Sequence, residues 1–150
     1  MSEAEPASKE ELRRQFNKTG LRFTPQRETV WRLFKGDPAG FTVSQATVTL
    51  ASQGIGQATV YRTIKKLQDF GYLKPVHEQD GEHRFVASKP GHTHMVVCRS
   101  CSKVVECDDC DLLLLEKLIA MQTGFLIDGH RLEFWGLCPE CLRLTKGAGQ

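Results

Sequence analysis

The sequence predicts an α+β chain of two small units: a helical N-terminal unit that ends in a β-hairpin, and a C-terminal unit of strands around one helix. Apolar residues recur at helical spacing in four segments up to Gly71, and strand-like segments follow. The dipeptide Asp80-Gly81 is a strong signal for a hairpin turn. The 150 residues are 40% hydrophobic and 25% charged, which is typical of a soluble globular protein.

Four N-terminal helices are predicted, over residues 11–19, 25–35, 44–52 and from 57 onward. Thr24 is the expected N-cap of the second helix, with Pro25 at its first position, and Ser44 is the expected N-cap of the third. Val60, Ile64 and Leu67 form the buried stripe of the fourth helix.

The last two helices and the turn Gly54-Ile55-Gly56 predict a helix-turn-helix motif, to which the hairpin would add a wing. The second helix of such a motif enters the DNA major groove. The residues that this helix offers on its other faces are Thr59, Tyr61, Arg62, Lys65 and Lys66.

The charge distribution also indicates a polyanionic partner. Residues 12 to 66 hold ten Lys or Arg against two acidic residues, whereas residues 67 to 150 hold nine basic and twelve acidic residues. The N-terminal half therefore suits DNA. The alternative, that these charges only solvate helix faces, fits the composition equally well.

The C-terminal unit is predicted to begin after a hinge at residues 88–91 and to extend over 92–144, behind a winged-helix domain at 11–87. Its strand-like segments are HTHMVVC, KVVEC and a long alternating run, FLIDGHRLEFWGLC. The helix DLLLLEKLIAMQT lies between them, with Asp111 in its first turn. The ends, 1–10 and 145–150, are expected to be disordered tails.

Two C-x-x-C pairs, Cys98/Cys101 and Cys138/Cys141, each follow an apolar strand. Four thiolates in two such pairs are the closed shell of a structural Zn²⁺ site, which would join the first and last strands. A redox pair or disulfides are the alternative, and two matching pairs in a reducing compartment argue against both.

A second Zn²⁺ site is predicted from His92, His94, His130 and Cys110. His92 and His94 share one face of a strand, and His130 is expected on the strand that the zinc brings close. Three imidazoles and a thiolate suit zinc better than magnesium or calcium. His83 from the hairpin and Cys107 are further candidate ligands; Cys107 could replace Cys110 or be inert. Alternatively, these residues are scattered strand histidines and ordinary thiols.

Motifs of enzymes and of membrane proteins are missing from the sequence. It contains no G-x-S-x-G, phosphate loop or H-E-x-x-H, and no residue is singled out as the general base of a hydrolytic zinc. We therefore expect no enzyme and no small-molecule substrate. Without an apolar run of about 20 residues or a signal peptide, we expect a cytoplasmic protein without a membrane partner.

Five separated motifs carry a family resemblance: GLRFTPQR, ATVYRTIKKLQDFG, DGEHRF, H-x-H before Cys98, and GHRLEFWGLCPEC. Together they resemble the ferric uptake regulator family over about residues 12 to 142. The resemblance implies a winged helix for operator DNA and an α/β dimerisation domain. It also implies a regulatory metal near the hinge that closes the dimer onto its operator, which usually represses transcription and sometimes activates it. It also implies a homodimer on a palindromic site.

By position, the resemblance makes the four cysteines the structural zinc ligands. It makes Tyr61 and Arg62 the base-contacting residues of the recognition helix, and Arg22 the residue that reaches the minor groove. Lys65 and Lys66 would add backbone contacts.

The regulatory site departs from the family pattern. Aligned without gaps on Cys98, the usual hinge ligands become Thr93 and Met95, and the zinc-sensing cysteine becomes Ser88. The neighbouring site keeps its histidines, but its carboxylate falls on Leu113, and Cys110 could replace it from one helical turn earlier.

A thiolate in place of a carboxylate favours zinc over iron, so the zinc uptake regulator branch is preferred. The alternatives are an iron- or peroxide-responsive regulator of the same family and a zinc-ribbon interaction module that does not bind DNA.

Overall fold

The computed structural model describes residues 7–77, 82–107 and 111–147. It divides into two compact units between Gly91 and His92. Both contain helices and strands, so the α+β prediction is confirmed. No helix among the described residues is long and apolar enough to cross a membrane.

The N-terminal unit contains four helices and a three-stranded sheet. The helices are α1 (Lys9–Lys18), α2 (Pro25–Lys35), α3 (Val43–Ala51) and α4 (Gln57–Asp69). The strands are β1 (Phe41–Thr42), β2 (Leu73–His77) and β3 (His83–Ala87), in the order β1-β3-β2 with antiparallel neighbours.

Side-chain caps begin three of these helices. The hydroxyl oxygens of Ser8 and Thr24 accept hydrogen bonds from backbone N–H groups in the first turns of α1 and α2, which satisfies donors that have no partner within the helix. The predicted cap of α3 was wrong. Thr42, not Ser44, forms a reciprocal capping box with Gln45, because Gln45 lies three residues after Thr42, as a capping box requires.

One apolar core joins the four helices to the sheet. Phe16, Phe34 and Leu50 are at most 1% exposed, and the predicted stripe of α4 (Val60, Ile64, Leu67) packs in the same cluster. Each such side chain stabilises the fold by about 1.5–3 kcal/mol. The core fixes which face of α4 is buried and therefore which face is exposed. The predicted turn residues Asp80 and Gly81 lie outside the described residues.

The C-terminal unit contains a second three-stranded sheet and two helices. The elements are β4 (His94–Cys98), β5 (Val104–Cys107), α5 (Leu113–Thr123), β6 (Glu133–Gly136) and α6 (Pro139–Gly147). The sheet order is β5-β4-β6, with β5 antiparallel and β6 parallel to β4.

The long strand predicted over residues 125–138 was wrong. Only Glu133–Gly136 pairs with β4, and His130 lies in the irregular segment before it. The alternation of apolar residues continues through Asp128-Gly129, but that dipeptide favours turns. The preceding helix ends at Gly124, whose φ of 74° is left-handed, so the chain enters the segment through a turn. Asp111 likewise precedes α5 instead of lying in it.

The C-terminal unit exposes many large apolar side chains. Helix α5 contains no buried residue; Leu114 and Met121 are 70% and 82% exposed, and Leu126 beyond the helix is 93% exposed. On β6, Phe134 and Trp135 are about half exposed. An apolar surface of this extent marks an interaction site.

Candidate metal centres and nucleic-acid surface

The four predicted zinc ligands Cys98, Cys101, Cys138 and Cys141 come together at one end of the β4–β6 pair. Their Sγ atoms all lie within 4.8 Å of one another. The parallel pairing explains this, because it aligns Cys98 with Gly136 and so places both C-x-x-C segments at the same end of the sheet. The Cys101 and Cys138 Sγ atoms are 3.7 Å apart, close to the roughly 3.8 Å edge of a tetrahedron with Zn–S bonds of about 2.3 Å.

The electrostatics of this thiol group fit a bound dication. Backbone N–H groups of Cys138 and Cys101 lower the pKa of the Cys98 thiol to about 6. At Cys141 the Ser100 hydroxyl lowers the pKa, but the Cys138 thiol and burial outweigh it and raise the pKa to about 12. Adjacent thiols resist becoming thiolates together, and a dication removes that resistance.

Three of the predicted regulatory ligands also converge. The His130 Nε2 atom lies 2.9 Å from His92 Nε2 and 3.2 Å from His94 Nε2. His94 begins β4 and is buried, His92 precedes the strand and is exposed, and His130 is intermediate. Zn–N bonds of about 2.0–2.1 Å at tetrahedral angles place ligand nitrogens roughly 3.3 Å apart. The spacing of these nitrogens therefore suits a metal held by three imidazoles.

Glu116, which the sequence analysis missed, orients this group. Its Oε1 atom lies 2.7 Å from His130 Nδ1, and a carboxylate that accepts from Nδ1–H leaves the lone pair on Nε2. Glu116 lies in the first turn of α5, three residues after Leu113, where the ungapped family alignment places the carboxylate. Since residues three apart share a helix face, a search one turn beyond Leu113 would have found it.

The remaining predicted ligands are Cys110, Cys107 and His83. Cys110 lies outside the described residues. Cys107 pairs with His94 across β4 and β5, yet its Sγ atom is not part of the group. His83 belongs to the N-terminal unit, where its ring lies against His77.

The predicted DNA-contacting residues of α4 lie on one side of the helix. Tyr61, Arg62 and Lys65 are exposed, while Thr59 and Lys66 are partly exposed at its edge. Lys65 and Lys66 both form ion pairs with Asp69, at 3.5 and 3.3 Å. Such exposed pairs are weak, so both ammonium groups remain available to phosphates.

Arg22 is brought to the same surface. It lines a cleft of about 340 Å³ together with Arg27, Thr59 and Arg62. The Arg27 guanidinium donates a hydrogen bond to the Arg22 backbone carbonyl and lies 5.1 Å above the centre of the Phe16 ring. Arg27, also missed from the sequence, therefore holds the loop that carries Arg22. Three guanidinium groups at one cleft give it the charge that binds phosphate.

A known family accounts for both the fold and these groups of residues. The model of the ferric uptake regulator family matches residues 18–135. The chain belongs to the ferric uptake regulator family. It is therefore a metal-responsive transcription regulator, with an N-terminal DNA-binding domain and a C-terminal dimerisation domain. Members of this family are transcription regulators and not enzymes.

The individual relatives differ in the signal named for them. The chain is 31% identical to a ferric uptake regulation protein of Synechococcus elongatus, over 88% of this chain and 93% of the relative. It is 30% identical to a peroxide-responsive repressor of Staphylococcus aureus, over 81% and 83%. A solved zinc uptake regulator in complex with zinc and DNA is 25% identical, with a TM-score of 0.71 over 93% of this chain and 99% of that one. Family members bind DNA as dimers.

Proposed function

We propose that this chain is a zinc-responsive repressor that binds a palindromic operator as a homodimer when its three-histidine site is filled. The observation that carries the proposal is the convergence of the His92, His94 and His130 Nε2 atoms, with Glu116 on the outer nitrogen of His130. Such a carboxylate–histidine pair is the usual support of a metal-binding imidazole.

Zinc is favoured by the ligands. Imidazoles suit zinc, copper, iron and nickel alike, whereas carboxylates favour harder ions. The Glu116 carboxylate contacts the far nitrogen of His130, so it supports a ligand of the group. If Cys110 supplies the fourth ligand, its thiolate shifts the preference further toward zinc. An iron- or peroxide-responsive role is the second candidate, because the Synechococcus and Staphylococcus relatives carry those names.

The four-cysteine site has a structural role in this proposal. Four thiolates leave no open position on zinc, so that site would stabilise the fold without sensing. The three histidines leave room for a fourth ligand and are partly accessible, as a site that exchanges its metal requires.

A homodimer is proposed from the apolar surface of the C-terminal unit. Exposed apolar side chains occupy α5, the following segment and β6. Isologous association of two copies would bury this surface. The proposed division is a winged-helix domain at 11–87, a hinge at 88–91 and a dimerisation domain at 92–144.

DNA binding is assigned to α4 and to the Arg22 loop. Tyr61 and Arg62 would contact bases, while Arg22, Lys65 and Lys66 would contact phosphates or the minor groove. Metal at the histidines can favour DNA binding only by binding more tightly to the DNA-competent conformation. Because the partner is operator DNA, the proposed place of action is the cytoplasm.

The test combines a metal count with a gel shift. Operator fragments are first selected from a random DNA pool with zinc-loaded protein, and binding is then measured across a free-zinc titration. We expect two zinc ions per chain, one removed by mild chelation together with DNA affinity. His94→Asn and Cys110→Ser should shift the zinc dependence, whereas Arg62→Gln should weaken DNA binding and retain both ions.

Each alternative predicts a different result. Unchanged zinc dependence in both His94→Asn and Cys110→Ser would exclude the assigned site. Full DNA binding with Fe²⁺ at zinc concentrations that leave the site empty would favour iron sensing. A protein that selects no DNA at low salt would be an interaction module.

A further inference from the structure

The wing hairpin carries two histidines that face each other across its strands. His77 is the last residue of β2 and His83 is the first residue of β3, and the antiparallel register pairs them directly. Directly opposite residues project from the same face of a sheet with Cβ atoms about 4.5–5.5 Å apart. The backbone alone therefore brings the two imidazoles together.

Their ring geometry matches that of the His92–His94 pair in the three-histidine group. The His77 and His83 ring centres are 4.8 Å apart at an interplanar angle of 82°. The corresponding values for His92 and His94 are 4.8 Å and 89°. Two imidazoles at this spacing and angle can bind one ion between them.

We propose that His77 and His83 form a separate chelating site for a divalent transition metal, Zn²⁺ or Cu²⁺. Both side chains are exposed, so an ion reaches them without opening the core, and water can fill the remaining positions. Two neutral imidazoles suit these borderline ions and discriminate against Mg²⁺ and Ca²⁺. Only two protein ligands hold the ion, so the affinity is lower than that of the four-cysteine site.

The consequence is a wing that responds to high metal concentrations. An ion bound between β2 and β3 joins the strands beside the connecting residues 78–82, and it stabilises the paired hairpin by mass action. His83 is thereby assigned to a partner on its own hairpin and not to the ligands of the C-terminal unit. The inference does not rest on zinc sensing at His92, His94 and His130.

The test uses the full chain with its four-cysteine site loaded and the three-histidine site disabled by His94→Asn/His130→Asn. Zn²⁺ alone is titrated calorimetrically, and Cu²⁺ is titrated in a second series. We expect one remaining site per chain, weakened at least about tenfold by His77→Asn and equally by His83→Asn. The double wing variant should bind no ion at the hairpin, since it keeps neither imidazole.

The matched control is His92→Asn in the same background, which removes the last imidazole of the disabled site and should leave the binding unchanged. Hydrogen exchange supplies a second readout: at free Zn²⁺ ten times the dissociation constant, amides of β2 and β3 should exchange about tenfold more slowly. Residual binding that disappears with His92→Asn, or that survives both wing substitutions, overturns the proposal. So does the absence of any residual site.

Discussion

Replacing Glu116 by Gln tests whether this carboxylate orients the histidines of the proposed metal site. The contact with His130 Nδ1 is 2.7 Å long, and the two side chains are only 24% and 21% exposed, so water screens it only partly. A hydrogen bond to a charged group contributes about 1.5–3 kcal/mol. If the metal-bound state loses this stabilisation, zinc should bind roughly 10–100-fold more weakly, which is the range typical of residues that support a metal ligand.

The measurement is a competition between the protein and a fluorescent zinc chelator, with the four-cysteine site kept full. Lys117→Gln is the matched control, since it removes one exposed charge from the next position of the same helix and should leave zinc affinity unchanged. A Glu116→Gln affinity within twofold of the parent would refute the orienting role. A loss far beyond 100-fold would instead indicate that the carboxylate binds the metal itself.

Three further predictions concern the rest of the chain. Cys138→Ser should lower the zinc content by one ion and abolish the cooperative melting of the C-terminal unit, because zinc bound by four thiolates contributes directly to folding. An unchanged melting curve measured by circular dichroism would contradict this. Arg62→Gln should weaken operator binding by about 1–3 kcal/mol and relax base preference. Lys65→Gln should weaken binding to all DNA sequences alike and reduce the slope of log affinity against log salt concentration by about 1. The opposite pattern in gel shifts over a salt series would reverse the two roles. Burial and the hydrogen bond to Glu11 raise the Tyr72 pKa from 10.0 to about 12. Its contribution to stability is therefore complete below pH 10 and lost toward pH 12, with a loss of roughly 1 kcal/mol at pH 11. Denaturant unfolding at pH 9 and 11 should show this loss in the parent and not in Tyr72→Phe.

The N-terminal unit was predictable because its signals are local. Thr24, Pro25 and the stripe of α4 act within a few residues of chain, and the structure has the helices where these signals place them. Ser44 failed as a cap because two nearby hydroxyl residues compete, and only Thr42 has Gln45 at the required spacing.

The C-terminal unit was less predictable because its contacts join distant parts of the chain. The spacing of the cysteines was sufficient to group them, since the strands that carry them pair directly. The spacing of the histidines did not indicate Glu116, because its contact with His130 depends on how α5 and the segment before β6 approach each other. The signal for Glu116 was its position one helical turn beyond Leu113.

The parallel pairing of β4 and β6 also implies an order of assembly. The four cysteines lie at the carboxyl end of this strand pair, whereas His94 begins β4 and His130 precedes β6. The pair is only four residues long, and a slip of one residue would turn every side chain of one strand to the opposite face. Zinc at the thiolates would prevent that slip and keep the histidines in register. On the proposed function, a newly synthesised chain would therefore bind zinc at its four cysteines first, and only afterwards bind the sensed metal at its histidines.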